Sequence, residues 1–297
     1  MFALCTALAL VLWGCGTSES FSGDGGQGGD AQTIVVGSQD FYENEIVAET
    51  YAEALEANGF DVERSFRIGQ REVYMPEIES GSIDVFPEYT GNLLQYLDED
   101  ATATEGQDVY DALVEAMPDG LRVLEQAEAA DSDSYVVTKA FADEHGLVTI
   151  ADLSGVEGLV LAGNSELESR PYGPTGLKDV YGVDIARFAP VEDSGGPLTV
   201  KALRDGDATM VDMYSSSPEL ASGDLVALED PKGMFLASHV VPVVSERVDG
   251  KAAAVLDRVS AALTQEALVR MNGESVNDGR PAPDIAHDFL VSAGVVS

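Results

Sequence analysis

Tyrosine side chains follow several predicted strands of this chain. Tyr89, Tyr135 and Tyr214 each stand at the carboxyl end of a short, strand-like apolar run. In open α/β sheets, ligands bind beside the carboxyl ends of the strands. Aromatic faces that converge there can hold an organic cation with no N–H to donate, through cation–π attraction. On these residues alone, the alternative that they are core or rim tyrosines stays open.

No catalytic or metal-binding pattern accompanies the tyrosines. His145, His239 and His287 are far apart and lack the spacing of metal ligands. The sequence contains no G-x-S-x-G elbow, P-loop or dinucleotide fingerprint. The acidic residues could include a catalytic pair, but no spacing singles one out. We therefore predict a protein that is not an enzyme and needs no metal and no cofactor.

Residues 192–197, with the sequence EDSGGP, nearly repeat the GDSGGP around the nucleophile of chymotrypsin-like proteases. That chemistry needs a histidine base held by an aspartate in an all-β double barrel. The only upstream histidine is His145, and the flanking pattern is α/β. We therefore interpret the segment as a glycine-rich turn before a helix at 198–205.

The elements that must position the tyrosines alternate between strand and helix. Short β-branched runs predict strands, and apolar residues that recur at intervals of three and four predict helices. The predicted strands are 33–37, 60–68, 83–86, 135–138, 159–162, 208–213 and 240–244, and the predicted helices are 43–58, 72–80, 198–205, 250–271 and 282–293. This alternation of strand and helix predicts an α/β protein with parallel sheets. The first three strands and the later four are too far apart in the sequence for one succession, which indicates two lobes.

The charge of the chain excludes some classes of partner. The 297 residues contain 16 Lys+Arg and 53 Asp+Glu, which gives a formal net charge of −37. No basic cluster is present to neutralise phosphates, so we predict no nucleic-acid partner. The composition fits both an ordinary acidic exported protein and a salt-adapted one. In the second case, external salt would screen the repulsion among the acidic side chains.

The first 32 residues have the composition of a targeting segment. Residues 2–14 form an uncharged apolar run that is too short to span a bilayer and is typical of a signal peptide, which we place at 1–14. Gly14-Cys15 resembles the bacterial lipobox, whose cysteine is lipidated; a plain secretory signal is the alternative. Residues 15–32 are then the lipidated Cys15 and a flexible Gly/Ser/Asp linker.

Several motifs resemble the glycine betaine/choline-type substrate-binding proteins of ABC importers. The most specific is Pro-Glu-Tyr-Thr-Gly at 87–91, and the matching segments include 37–49, 81–91, 133–139, 168–182, 207–214 and 230–242. The resemblance covers about 33–290. It implies a type II two-lobe periplasmic-binding-protein fold with two hinge crossings and a ligand cleft between the lobes. We place lobe 1 at 33–136 plus 241–297 and lobe 2 at 137–240.

The resemblance also implies roles for individual residues. Tyr89, Tyr135 and Tyr214 match the tyrosines of an aromatic cage, and Asp133 matches an acidic residue beside the cationic head of the ligand. Arg170 matches the arginine that grips the ligand carboxylate, because a planar guanidinium pairs bidentately with a carboxylate. A surface ion pair is the alternative for Arg170.

The sequence departs from the family pattern at three places. Gln39 replaces a frequent lysine, and Asn92 replaces a frequent threonine or serine. Ser238, with His239 next to it, stands where a further aromatic residue is expected. The cage is therefore open on one side, or Tyr42 or His239 closes it. We include all five among the candidate ligand-binding residues.

The expected function is transport. The resemblance implies a monomeric, lipid-anchored, extracytoplasmic protein that delivers a quaternary ammonium osmolyte to an ABC permease in the membrane. Glycine betaine, proline betaine, carnitine and choline are the candidate ligands. The alternatives are a protein of the same fold that binds another zwitterion or an amino acid, and an exported hydrolase.

Overall fold

Two five-stranded mixed sheets form the frame of the protein in a computed structural model, which describes residues 33–296. The strands are β1 Ile34–Gly37, β2 Val62–Ser65, β3 Val85–Tyr89, β4 Leu121–Val123, β5 Asp133–Thr138, β6 Val160–Gly163, β7 Arg187–Pro190, β8 Met210–Tyr214, β9 Leu225–Ala227 and β10 Val240–Ser245. The first sheet has the order β2-β1-β3-β10-β4 and the second has the order β7-β6-β8-β5-β9. The predicted α/β class is confirmed.

Both sheets are built in the same way. In the first sheet β1 pairs in parallel with β2 and β3, and β10 runs antiparallel between β3 and β4. In the second sheet β6 pairs in parallel with β7 and β8, and β5 runs antiparallel between β8 and β9. In each sheet, the antiparallel strand (β10 or β5) is thus the first strand after the chain has crossed over from the other sheet.

Helices cover both sheets. The α-helices are α1 Tyr42–Ala57, α2 Arg71–Glu79, α3 Thr90–Leu97, α4 Gly106–Ala116, α5 Lys139–His145, α6 Pro174–Gly176, α7 Pro197–Asp205, α8 Gly250–Ala262, α9 Gln265–Val276 and α10 Ala282–Ser292. The prediction of one helix over 250–271 is wrong, because the chain breaks at Leu263 and Thr264. The Thr264 hydroxyl accepts a hydrogen bond from the Ala267 N–H and so begins a new helix. None of the described helices is long and apolar enough to cross a membrane.

The chain passes between the sheets twice, at 124–132 and at 228–239. We call the part built on the first sheet the first lobe and the part built on the second sheet the second lobe. Strand β5 belongs to the second sheet from Asp133 onward, and β10 belongs to the first sheet from Val240. The lobe limits of 33–136 plus 241–297 and 137–240 stay a prediction. The predicted signal peptide, Cys15 and linker lie outside the described residues.

Candidate functional site

A cleft of about 500 Å³ lies where the strand ends of the two sheets face each other. Its lining consists mainly of aromatic, amide and charged side chains. The lining residues are Gln39, Phe41, Gln70, Arg71, Tyr89, Asn92, Asp131, Asp133, Asn164, Glu166, Leu167, Arg170, Tyr172, Asp212 and Tyr214. We call this space the cleft.

The sheet topology explains why these residues meet. The segments that follow β1, β3 and β6 supply much of the lining, and Tyr214 is the last residue of β8. Because these strands are parallel within each sheet, their carboxyl ends lie at one edge. Ligands bind at this edge in open α/β sheets.

Three aromatic rings form one wall of the cleft. The Phe41 ring centroid lies 6.2 Å from that of Tyr89 and 5.4 Å from that of Tyr214. The Tyr89 hydroxyl donates to Glu43 Oε1 at 3.1 Å, which fixes the orientation of the ring. We call Phe41, Tyr89 and Tyr214 the aromatic wall.

A fourth ring, that of Tyr172, lines the cleft from the second lobe. Its centroid lies 5.6 Å from that of Phe235, and its hydroxyl accepts a hydrogen bond from the Asn92 amide at 3.1 Å. The cleft therefore has aromatic faces from both lobes.

Three carboxyl groups lie in the same cleft, and we call Asp131, Asp133 and Asp212 the acidic cluster. Asp131 and Asp212 are buried, and Asp133 is half-buried. Burial, and then the neighbouring charge of Asp133, raises the pKa of Asp212 well above its usual range. Burial also raises the pKa of Asp133, although the hydrogen bond from the Asn92 amide opposes this shift. For Asp131, burial and the charge of Glu43 raise the pKa.

Two buried polar atoms of the cleft have no hydrogen-bond partner among the described residues. They are Oδ1 of Asp212 and Nε2 of Gln39. Buried polar groups in native proteins nearly always have a partner, so unpaired atoms in a cleft are typical of a ligand-binding site. Within residues 33–296 the histidine, cysteine and acidic side chains form no group that could hold a metal ion.

Both arginines of the cleft are bonded to carboxylates. Arg71 donates to Glu88 in a bidentate pair, with Nε–Oε1 and Nη2–Oε2 distances of 2.9 and 2.8 Å. Arg170 donates to Glu72, with distances of 2.6 Å from Nη1 to Oε1 and 3.2 Å from Nη2 to Oε2. The first pair is buried within the first lobe, whereas the second joins the two lobes.

Six of the ten ligand-binding residues predicted from the sequence line the cleft: Gln39, Tyr89, Asn92, Asp133, Arg170 and Tyr214. The other four, Tyr42, Tyr135, Ser238 and His239, do not line it.

The direction of strand β5 keeps Tyr135 out of the cleft. Because β5 is antiparallel to β8, its amino end lies at the cleft, where Asp133 pairs with Tyr214. Tyr135 lies two positions deeper in the strand, is fully buried, and packs on Phe235 with ring centroids 5.1 Å apart. Its hydroxyl donates to the Tyr172 carbonyl. Tyr135 therefore does not stand at the carboxyl end of its strand, contrary to the expectation from the sequence, and its ligand contact stays a prediction.

Tyr42 and His239 lie behind the lining. The Tyr42 ring packs edge-on against Phe41 with ring centroids 5.7 Å apart. The His239 Nδ1 lies 3.0 Å from the Ala127 carbonyl oxygen, and its backbone N–H donates to Thr90 Oγ1 at 3.0 Å. Neither residue lines the cleft.

Ser238 is also behind the lining, and it holds Asn92 in place. Its hydroxyl donates to Asn92 Oδ1 at 2.6 Å and accepts from the Asn92 N–H at 3.1 Å. Gly91 allows this close approach, since a Cβ atom there would lie 2.8 Å from Ser238 Oγ. Asn92 in turn donates to Asp133 and Tyr172. Ser238 thus supports Asn92 and does not itself line the cleft.

We expect Ser238→Tyr to destabilise the protein without adding an aromatic face. Ser238 is 1% exposed, so a phenol ring would displace the 236–238 segment from Gly91. Overpacking of this kind costs about 1–3 kcal/mol. Chemical denaturation of the variant measures the loss, with Ser238→Ala as the control that removes the hydroxyl and adds no bulk. A Ser238→Tyr protein of unchanged stability would contradict this placement.

Nine lining residues were not predicted from the sequence: Phe41, Gln70, Arg71, Asp131, Asn164, Glu166, Leu167, Tyr172 and Asp212. Some of them carried a signal. Phe41 lies inside the first matching motif, and Tyr172 follows Arg170 by two positions. Asp212 precedes Tyr214 by two positions in one strand, and such residues share a face.

The EDSGGP segment at 192–197 forms the turn that the sequence predicted. The Asp193 carboxylate accepts from the backbone N–H groups of Leu198 and Thr199 and so caps α7. Ser194 has a positive φ of 51°, and its hydroxyl accepts a hydrogen bond from the Asn164 amide at 3.0 Å. These bonds give Ser194 a structural role at the edge of the cleft.

Comparisons with known proteins agree with this geometry. Residues 32–292 match the family described as the substrate-binding domain of the ABC-type glycine betaine transport system. The chain belongs to this family. Its predicted relationship and its predicted non-enzymatic nature are thereby confirmed, since this is a family of transport binding proteins. As the substrate-binding protein of an ABC importer for glycine betaine/choline-type solutes, it acts outside the cytoplasm.

Individual relatives span nearly the whole chain. The glycine betaine-binding protein YehZ of Escherichia coli (strain K12) is 27% identical over 279 residues, which cover 89% of this chain and 92% of the relative. A glycine-betaine-binding protein of Pseudomonas aeruginosa is 24% identical, with 88% of each chain covered.

Solved structures show the fold. A glycine betaine/carnitine/choline ABC transporter structure has a TM-score of 0.70 and 19% identity, and it covers 88% of this chain and 99% of its own. The two mixed sheets match the type II periplasmic-binding-protein fold, as the sequence predicted.

Proposed function

We propose that the cleft binds a quaternary ammonium compatible solute and that the protein delivers it to an ABC permease. The candidate ligands are glycine betaine, proline betaine, carnitine and choline. One observation carries the proposal: the aromatic wall and the acidic cluster line the same cleft.

The chemistry of the ligand fits both surfaces. A trimethylammonium group has no N–H to donate, and its charge is spread over its methyl groups. Each aromatic face therefore contributes roughly 0.5–2 kcal/mol through cation–π attraction. The carboxylates of Asp133 and Asp212 supply the opposite charge in a buried environment, where electrostatic attraction is stronger than in water.

The proposed ligand contacts are with Gln39, Tyr89, Asn92, Asp133 and Tyr214. We also propose contacts with Phe41, Tyr172 and Asp212, because they line the same cleft. Arg170 is the proposed partner of a ligand carboxylate, which would exchange places with Glu72. The names of the two bacterial relatives support a betaine-type ligand. We further propose that the protein is a monomer with no nucleic-acid partner.

A thermal-shift panel tests the function. Tetramethylammonium, choline, glycine betaine, carnitine and proline betaine are compared with proline and glycine, which carry N–H donors. A ligand at a hundred times its Kd stabilises the native state by about 2.7 kcal/mol. We expect this to raise the Tm by roughly 5–10 °C for the quaternary compounds. Shifts with proline or glycine alone would instead support the amino-acid alternative.

We expect the affinity for choline to fall as the pH falls. Because the pKa values of Asp133 and Asp212 are raised, the pair holds a proton at a pH where an ordinary aspartate is ionised. A bound cation favours the charged form, so binding releases that proton. Affinity then increases with pH by up to about tenfold per pH unit for each proton released, and it decreases as the pH falls through the raised pKa.

Titration calorimetry between about pH 5 and pH 8 measures this linkage, since choline itself does not titrate there. Asp212→Asn is the control, because it removes the carboxyl whose pKa is raised well above its usual range, and it should weaken the pH dependence. A wild-type affinity that is flat over this range would contradict the linkage.

We also propose that Cys15 is lipidated after removal of residues 1–14 and that 15–32 form a linker. Cys15→Ser should then move the protein from the membrane fraction to the soluble fraction. If the variant still sediments with membranes, the anchor is elsewhere.

A further inference from the structure

The two guanidinium groups of the cleft both bond carboxylates of the protein itself. Arg71 is held by Glu88, which is completely buried. Arg170 is held by Glu72, whose side chain is half exposed. A ligand carboxylate that enters the cleft therefore meets arginines whose positive charge is already paired with a protein carboxylate.

The acidic cluster has no such compensation. None of the ion pairs among residues 33–296 includes Asp131, Asp133, Asp212 or the nearby Glu166. The hydrogen-bond donors to the cluster are neutral: the Asn92 amide donates to Asp133, and the Ser216 N–H donates to Asp131 at 2.9 Å. The uncompensated charge of the cleft is thus negative.

We infer that the cleft discriminates against ligands that bear a carboxylate and favours a quaternary monocation of the choline type, and that Glu72 determines this preference by occupying Arg170. This inference rests on the proposed function and names the ligand class within it. Glu72 bonds two of the Arg170 N–H groups and pairs with its charge, so it competes with a ligand carboxylate for this arginine. The acidic cluster adds repulsion for the same carboxylate group.

The geometry of the Glu72–Arg170 pair supports this role. Glu72 is in the first turn of α2 in the first lobe, whereas Arg170 follows β6 in the second lobe. A betaine that takes the same Nη1 and Nη2 donors of Arg170 must therefore break a bidentate pair between the lobes. Glu72 also lines a neighbouring cavity together with Glu99, Tyr96 and Arg170, so its carboxylate stands beside the cleft rather than within it.

Calorimetric titration of choline and glycine betaine into three proteins tests the inference: the wild type, Glu72→Gln and Glu99→Gln. Glu72→Gln removes the competing charge from Arg170. Glu99→Gln removes the same charge from the neighbouring cavity, and no described hydrogen bond or ion pair joins Glu99 to Arg170.

We expect wild-type protein to bind choline at least about tenfold more tightly than glycine betaine, since a repelled carboxylate costs more than 1.4 kcal/mol. Glu72→Gln should tighten glycine betaine by roughly threefold to tenfold, in line with a partly exposed ion pair, and leave choline within about twofold. Glu99→Gln should leave the ratio of the two affinities within about twofold.

Two contrary results are distinguishable. If glycine betaine binds as tightly as choline and Glu72→Gln leaves their ratio unchanged, the inference is overturned and the proposed function stands. If choline, glycine betaine and tetramethylammonium all fail to bind the folded wild-type protein, the proposed function is overturned, and the inference with it.

Discussion

Glu88→Gln is expected to lower the free energy of unfolding by about 3–5 kcal/mol, because it leaves Arg71 charged and unpaired in the interior. The Glu88 side chain is 0% exposed and that of Arg71 is 7% exposed. Glu88 also accepts a hydrogen bond from the Tyr74 hydroxyl. Denaturation by urea, followed by circular dichroism, measures the loss.

Glu56→Gln is the matched control for this substitution. Glu56 also pairs with an arginine, Arg64, at 2.7 Å, but its side chain is 41% exposed. An exposed pair contributes only about 0–1 kcal/mol. If both variants lose the same stability, burial is not what makes the Arg71–Glu88 pair important.

The double substitution Asp133→Asn and Asp212→Asn should have the largest effect on ligand binding. The two carboxyls line the cleft together with the aromatic wall, and Asp133 is the register partner of Tyr214. Removing the partner of a desolvated charge typically costs about 2–5 kcal/mol. The affinity for choline should therefore fall by roughly thirtyfold to several thousandfold.

The stability of the same variant provides the control. Two asparagines do not repel each other and are cheaper to bury than a charged pair, so the Tm should stay or increase. A loss of affinity with an unchanged or higher Tm identifies the acidic cluster as part of the binding site. A loss of less than about threefold, or a loss that merely follows unfolding, would contradict that role.

Much of the frame could be predicted from local patterns. The runs at 33–37, 83–86 and 208–213 correspond to strands β1, β3 and β8, and the tyrosines that end β3 and β8 line the cleft. These predictions succeeded because a parallel strand brings its carboxyl end to the site. The same rule failed for Tyr135, since local sequence does not show that β5 is antiparallel to β8.

The partners of the charged residues could not be predicted, because they are distant in sequence. Arg170 contacts Glu72, and Asn92 contacts Asp133 and Ser238. A single sequence does not indicate such pairs among so many acids. For Ser238, the sequence showed a missing aromatic residue, whereas the structure shows a hydroxyl that supports Asn92 from behind.

The crystal structure of the protein with choline is the measurement that tests the central claim most directly. We predict that the choline nitrogen lies within about 6 Å of the ring centroids of Phe41, Tyr89 and Tyr214, which is the range of cation–π contact. We also predict that the Asp133 and Asp212 carboxylates face its methyl groups and that Arg170 still bonds Glu72. Choline bound elsewhere, such as in the cavity lined by Tyr96 and Glu99, would contradict the account.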